Sequence, residues 1–228
     1  MSHNFFAKTG FLGLMLGAIA TGTSLNACST SAQNQASSNP SATDAGAMQG
    51  MDHSKMGGMN HRMDLGPANA EFDLRFIDGM TPHHQGAVAM AQEALQKSKR
   101  PEIQKLAANI IQSQDKEINQ MKQWRTAWYP SMGETLMAWN TKMGHSMSMS
   151  EEQKKSMMMS MDLGAADDQF DLRFLNAMIP HHEGAVVMAN DALSKSTRPE
   201  IKKLAQEIIA SQTAEIKQMQ QWKQVWYK

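Results

Sequence analysis

The sequence FIDGMTPHHQGAVAMA, residues 76–91, recurs 98 residues later as FLNAMIPHHEGAVVMA, residues 174–189. The same offset relates residues 71–129 to residues 169–227 without a gap. A repeat of this length indicates that one supersecondary unit has been duplicated. Residues that are kept in both copies are therefore the first candidates for the core and for a functional site.

Each copy predicts a pair of helices. In the first copy, apolar residues recur at helical spacing from about Asn69 to Lys97 and again from Pro101 to Trp128. Proline is favoured at the first position of a helix, which suits Pro101 as the start of the second one. Pro82 falls inside the first helix, and it predicts either a kink or the first position of a new helical segment.

The duplication also predicts how the helices assemble. One helix pair cannot bury its apolar stripe alone, whereas two related pairs can do so by packing around a pseudo-two-fold axis. We therefore expect an all-α fold, a four-helix bundle made of two duplicated antiparallel helix pairs. The repeats occupy residues 69–129 and 167–228, and the linker between them occupies residues 130–166. Within the linker, the sequence predicts one extra helix from Glu134 to Met143. No strand pattern is evident in the sequence.

The N-terminus has the features of an export signal. Lys8 precedes an apolar run at residues 11–20, which is too short to span a membrane. Leu25-Asn26-Ala27-Cys28 resembles a bacterial lipoprotein cleavage box, so residues 1–28 are a candidate signal peptide with a lipid anchor at Cys28. Ordinary cleavage nearby, for instance after Ala32, is the alternative. Both predict an extracytoplasmic protein that is periplasmic, secreted or lipid-anchored.

Composition narrows the function classes. Lys and Arg total 22, as do Asp and Glu, so the formal net charge is zero and no nucleic-acid partner is expected. The single cysteine lies at the predicted cleavage site, which excludes disulfides, zinc–thiolate sites and iron–sulfur clusters from the mature domain. Methionine, in contrast, occurs 22 times, far above ordinary usage.

Many of these methionines occur with histidines in two polar segments. One lies within the flexible residues 29–68 and the other within the linker 130–166. Their candidate ligands are Met51, His53, Met56, Met59, His61 and Met63, and then Met143, His145, Met147 and Met149. Thioether sulfur together with imidazole suits Cu(I), and Ag(I) is equally soft; Cu(II) is a further candidate. The alternative is an adaptable protein-contact surface, for which methionine is also suited.

The repeated helical motif carries a second ligand set. Met80 shares a helix face with His83 and His84, at spacings of three and four residues. Met121 is equidistant with Met80 from the turn near residue 99, which predicts a site of Met80, His84 and Met121 with His83 about 100° away, facing a neighbour or solvent. The full helical set is Met80, His83, His84, Met90 and Met121, with Met178, His181, His182, Met188 and Met219 in the second copy. Core packing is the alternative role for Met90 and Met188.

The motif at residues 76–91 and its copy resemble the signature of a bacterial domain-of-unknown-function family, family three hundred and five. The resemblance implies a ferritin-like helical bundle. The whole chain, including its Met/His segments, is similar to copper-binding resistance proteins of cyanobacteria. This implies periplasmic binding of copper, preferably Cu(I), and a role in copper resistance and homeostasis. Thr81, where the second copy has Ile179, departs mildly from the usual pattern and does not touch the ligands.

Sequestration of copper is therefore the expected function. Delivery of copper to an efflux system and a Met-rich protein-interaction module are the alternatives. An enzyme is not expected, because the mature domain lacks a cysteine for a redox-active copper centre. Di-iron chemistry needs Glu-x-x-His pairs, whereas Glu183 directly follows His182 and Gln85 directly follows His84.

Overall fold

The computed structural model describes residues 64–228. Three predictions therefore lie outside the described residues: the signal peptide at residues 1–28, lipidation at Cys28, and the first Met/His segment. The ligands predicted in that segment are Met51, His53, Met56, Met59, His61 and Met63.

Each repeat forms a helical hairpin, as its periodicity predicts. Helix α1 spans Phe72–Lys97 and α2 spans Pro101–Trp128. In the second repeat, α4 spans Phe170–Lys195 and α5 spans Pro199–Trp226. Pro101 and Pro199 stand at the first helical positions, where a missing N–H removes no intrahelical bond.

Proline inside the first helix of each pair does not end it. Pro82 and Pro180 lie within α1 and α4, which run through them as single helices. The interpretation of Pro82 as the start of a new segment is therefore wrong. The residues on both sides of Pro82 are buried, and their packing stabilises the helix against the loss of one backbone donor.

The linker contains strands, which the sequence did not predict. After a 3-10 turn at Pro130–Met132, strand β1 at Met137–Asn140 pairs antiparallel with β2 at His145–Ser148. The predicted helix from Glu134 to Met143 is wrong, as is the expectation of no strands. Tertiary contacts determine this conformation, because the Met137 amide donates to the Asp78 carboxylate at 2.8 Å.

A short helix, α3, follows the strands at Glu151–Met158. A capping box starts it, in which Ser150 and Gln153 satisfy each other's backbone amides. Its last residues reach the long helices, because Met157 is buried in the core. Met159 ends the helix in the left-handed conformation, with φ 46°.

The core consists of two clusters, and both hairpins contribute to each. The first cluster contains Leu65, Phe72, Phe76, Ile77, Met80, Met121, Met157, Ala185, Met188, Ala189, Ala192, Ile201, Leu204, Ala205 and Ile208. The second cluster contains Ala87, Met90, Ala91, Ala94, Ile103, Leu106, Ala107, Ile110, Leu163, Phe170, Phe174, Leu175, Ala177, Met178 and Met219. Each half of a hairpin thus buries its apolar face against the opposite half of the other hairpin.

Reciprocal ion pairs join the ends of the hairpins. Arg198 lies 3.4 Å from the Asp73 carboxylate, and Arg100 lies 3.3 Å from that of Asp171.

The all-α class is confirmed, with one small two-stranded sheet added in the linker. Among the helices that the structure describes, none combines the length and the apolar character needed to cross a membrane.

Candidate metal centre

A buried histidine is held by a carboxylate in each hairpin. The Nε2 atom of His84 on α1 lies 2.6 Å from Oε2 of Glu117 on α2. In the second repeat, Nε2 of His182 lies 2.7 Å from Oε2 of Glu215. Both imidazoles are fully buried, and the Nδ1 atom of each has no hydrogen-bond partner.

This geometry prepares Nδ1 to act as a ligand. In a neutral imidazole whose Nε2–H donates to a carboxylate, Nδ1 keeps its lone pair. The same carboxylate–imidazole arrangement orients histidines that bind metals and raises their basicity. A buried polar atom without a partner costs about 1–3 kcal/mol, so a ligand at Nδ1 removes that cost.

Methionines stand one helical turn from His84 and from Glu117. Met80 precedes His84 by one turn of α1, and Met121 follows Glu117 by one turn of α2. Both methionine side chains are fully buried and belong to the first cluster. The predicted grouping of Met80 with Met121 is therefore found in the structure.

Met90 and Met188, the remaining methionines of the motif, each pack in the cluster that contains the other repeat's methionines. Met188 joins the first cluster, where its sulfur lies 3.8 Å from the position of a Cβ added at Gly79. Met90 joins the second cluster, with Met178 and Met219. The prediction grouped Met90 with the first copy and Met188 with the second, whereas the packing of the hairpins places each in the cluster of the other copy. Each cluster contains a methionine from the opposite repeat.

His83 and His181 take a different position from the other pair. Their rings stack at the interface of the two hairpins, with centroids 3.9 Å apart and an interplanar angle of 7°. His83 therefore faces a neighbour, and the alternative that it faces solvent is wrong, since it is fully buried. Burial lowers the pKa of His83 to about 4 and lowers the pKa of His181 well below its usual value, so both rings are neutral at pH 7.

Three of the four ring nitrogens of this stacked pair lie within hydrogen-bond distance of backbone carbonyl oxygens. His83 Nδ1 lies 2.8 Å from the Met157 carbonyl oxygen, and its Nε2 lies 3.0 Å from that of His181. A neutral imidazole carries a single N–H, so His83 donates to one of these two oxygens. His181 Nε2 lies 2.9 Å from the Met158 carbonyl oxygen. Only Nδ1 of His181 lacks a partner. This pair therefore connects α1, α4 and the end of α3.

The donor set is unsuited to hard metals. Within residues 64–228, no three side chains of the types His, Cys, Asp and Glu come together as a metal site. A metal at His84 or His182 would therefore need donors of other types as well, and thioether sulfur is present in both core clusters. Zn(II) prefers thiolate, imidazole and carboxylate, and Ca(II) and Mg(II) prefer oxygen.

The ligands predicted in the linker lie on the β-hairpin or directly after it. Met143 is 61% exposed and Met147 is 38% exposed, and His145 is also exposed. Met149 is half-buried. These donors are thus available at the surface, in contrast to the buried methionines of the two clusters.

Glu117 and Glu215 are the site residues that sequence reasoning missed. Both stand at the same place in their repeats. His84 and Glu117 are also equidistant from the turn, by the same rule that placed Met80 beside Met121. One helical turn closer to the connection between the helices, the same rule pairs His84 with the carboxylate of Glu117.

Comparison with known proteins identifies the family to which this chain belongs. A family model described as a domain of unknown function (DUF305) matches residues 23–125 and 73–223. The chain belongs to this family. A curated relative, the uncharacterized protein L153 of Acanthamoeba polyphaga mimivirus, is 43% identical over 49 residues. That match spans 22% of this chain and about a third of the relative, 32% of its length.

Solved structures give a longer match. The protein is similar to CopM in its Cu(I)-bound form, with 43% identity and a TM-score of 0.54 over 68% of this chain and 98% of that one. CopM in its Ag-bound form from co-crystallization is also 43% identical, with a TM-score of 0.55 and the same coverage. A DUF305 fragment from Deinococcus radiodurans is 29% identical, with a TM-score of 0.51 over 68% of this chain and 95% of that one.

Proposed function

We propose that this protein is an extracytoplasmic copper-binding protein that sequesters Cu(I) for copper resistance and homeostasis. One copper ion binds in each repeat, at Nδ1 of His84 or His182 and at the thioethers of the adjacent cluster. The observation that carries the proposal is the duplicated imidazole whose Nε2 is held by glutamate and whose buried Nδ1 has no partner.

Charge favours the monovalent ion. The thioethers and imidazole are neutral, and the nearest charge is the carboxylate of Glu117 or Glu215. Cu(I) with one carboxylate gives a neutral buried unit, whereas Cu(II) or Zn(II) would leave an uncompensated positive charge, which burial disfavours. Ag(I) has the same charge and softness as Cu(I), so it serves as a surrogate.

The comparisons support copper and silver as the cargo. CopM, 43–46% identical over 68% of this chain, has been solved in Cu(I)-bound, Cu(II)-bound and Ag-bound forms. The two clusters shared between hairpins support a four-helix bundle of the ferritin-like type. The apolar run and cleavage box at the N-terminus support export to the periplasm, with a lipid anchor at Cys28 as one route.

The exposed donors of the β-hairpin favour a second role. Met143, His145 and Met147 lie at the surface, where copper can be received from or passed to another protein such as an efflux system. This supports delivery of copper as the alternative to sequestration. We propose no catalytic activity, since the mature domain predicted from the sequence has no cysteine for a redox-active copper centre.

Anaerobic titration with Cu(I) against a calibrated chelator tests the proposal, with Zn(II) as the control metal. We expect the variant His84→Ala/His182→Ala to lose two tight equivalents. The matched variant His145→Ala, at an exposed histidine, should keep them. Equal copper binding by the double variant and the wild type would place the tight sites elsewhere, and tight Zn(II) binding would contradict a soft-metal site.

A further inference from the structure

A cavity lies between the first hairpin and the linker. Its volume is about 640 Å³, and its walls come from α1, α2, the turn before β1 and α3. Sites for small molecules in proteins have volumes of about 300–1,000 Å³. Within residues 64–228, no methionine or histidine lines this cavity, so it is distinct from the candidate copper ligands.

Arg125 fixes one wall of the cavity. Its Nε atom lies 2.5 Å from Oδ1 of Asp78, and its guanidinium also donates to the carbonyl oxygens of Gly133 and Thr135. The Asp78 carboxylate in turn accepts a hydrogen bond of 2.8 Å from the Met137 amide. These contacts hold the linker against the hairpin, and the charges of Arg125 and Asp78 compensate each other.

Three other side chains of the wall have unused hydrogen-bonding capacity. Thr81 is only 9% exposed, and its buried hydroxyl has no hydrogen-bond partner. Lys154 on α3 is half-buried and Lys122 on α2 is exposed, and neither forms an ion pair within residues 64–228. Burial of an unpartnered hydroxyl is unfavourable, so a ligand oxygen at Thr81 would remove a cost.

The second repeat lacks this set of donors. The offset of 98 residues relates three wall residues to different residues in the second copy: Thr81 to Ile179, Gln85 to Glu183 and Lys122 to Gln220. Each difference removes a hydrogen-bond donor or a positive charge, and Glu183 adds a negative one. The Met-x-Pro-His-His element, in contrast, is the same in both copies. The copies have thus diverged at the cavity while they retain the candidate copper ligands.

Packing against the linker explains only part of this divergence. It accounts for Asp78, which is Asn176 in the second copy, because the carboxylate binds Arg125 and the Met137 amide. The hydroxyl of Thr81 makes no hydrogen bond within residues 64–228, so the linker does not account for that residue. A ligand in the cavity does.

We propose that this cavity binds a small organic carboxylate. The Thr81 hydroxyl and the ammonium groups of Lys122 and Lys154 are the donors available to the carboxylate oxygens. Leu136 and Pro82 supply apolar wall for the body of the ligand.

Charge and size define this class of ligand. The two unpaired lysines outweigh the single carboxylate of Glu134, which is exposed, so the cavity attracts an anion. An inorganic oxyanion would leave most of a volume of about 640 Å³ unfilled, whereas an organic body can cover the apolar wall.

Chemical-shift titrations of the metal-free, ¹⁵N-labelled protein test the proposal independently of copper. The probes are acetate, succinate and benzoate, each with its neutral amide as the control for charge, and inorganic phosphate is the control for the organic body. We expect at least one carboxylate to bind with a Kd of about 1 mM or below and to shift the amides of residues 81–85 and 150–154. Its neutral amide should bind at least about tenfold more weakly, because charge-assisted hydrogen bonds are the stronger ones.

A variant that carries the residues of the second repeat tests the donors. Thr81→Ile combined with Lys122→Gln should weaken binding of the best carboxylate at least about tenfold. The matched variant Lys105→Gln, at an exposed position on α2, should bind it as the wild type does. If Thr81→Ile disturbs the fold, Lys154→Gln alone should still weaken binding.

Four results would overturn the proposal. One is the absence of shifts around the cavity with all three carboxylates, and another is equal binding of a carboxylate and its neutral amide. Unchanged binding by the folded variants Thr81→Ile/Lys122→Gln or Lys154→Gln would exclude these donors. Phosphate that binds as tightly as the best carboxylate would exclude an organic ligand.

Discussion

The substitution Glu117→Gln isolates the charge that we assign to the first copper site. Glutamine keeps an oxygen that can accept the Nε2–H of His84, so the tautomer with a free Nδ1 is preserved. Only the negative charge is lost. We therefore expect copper to bind more weakly at this site, without loss of the fold.

The structure sets the size of the effect. Carboxylates that orient a metal-binding histidine are typically worth 10- to 100-fold in metal affinity. The His84–Glu117 hydrogen bond measures 2.6 Å, and the Glu117 side chain is only 14% exposed, so solvent screens the charge little. We expect the upper part of that range, about 30- to 100-fold, which corresponds to about 2–3 kcal/mol.

Competition with a Cu(I) chelator under anaerobic conditions measures this change. One of the two tight sites should weaken, and the other should remain as in the wild type. Glu215→Gln should give the same result for the second site, and Glu102→Gln, at an exposed position on α2, should change neither. Unchanged affinity of both sites in Glu117→Gln would refute the role of the carboxylate.

Three further predictions concern the duplication, the stacked histidines and one turn. Met80→Ala combined with His84→Ala should lose less than half of the bound copper, because the second repeat and the linker donors remain; metal analysis that finds only traces would rule out duplicated sites. The pKa of His83 is lowered by burial to about 4, against about 6.5 unfolded, so the unfolded state takes up the proton first. The free energy of unfolding of the metal-free protein should therefore fall as pH drops from 6.5 towards 4, by about 3 kcal/mol from this residue. Denaturant titrations of the wild type and His83→Gln measure that difference, and parallel pH profiles would contradict it. Gly66→Ala should destabilise the fold by at least about 1 kcal/mol, since Gly66 has φ 76° and an added Cβ would overlap the Trp139 ring; equal denaturation midpoints would argue against this contact.

The helix pairs could be predicted because their determinants are local. Apolar periodicity and the prolines Pro101 and Pro199 fix where α2 and α5 begin, and the offset of 98 residues shows that both hairpins share one plan. The pairing of Met80 with Met121 follows from the same hairpin geometry. Each of these features depends on residues within one repeat.

The remaining features depend on contacts between distant parts of the chain. Strand β1 has only four residues. It is stabilised where the Trp139 ring packs 5.2 Å from the guanidinium carbon of Arg75, a contact that no local sequence pattern contains. The exchange of Met90 and Met188 between clusters depends on how the two hairpins pack. Glu117, in contrast, was within reach of the hairpin rule that found Met121.

Anomalous diffraction from crystals of this protein loaded with Ag(I) locates the metal sites directly. We expect one silver peak in each repeat, within bonding distance of Nδ1 of His84 and of His182, with methionine sulfur from the adjacent cluster completing the shell. Silver confined to the exposed donors Met143 and Met147, with both Nδ1 atoms still unliganded, would contradict it.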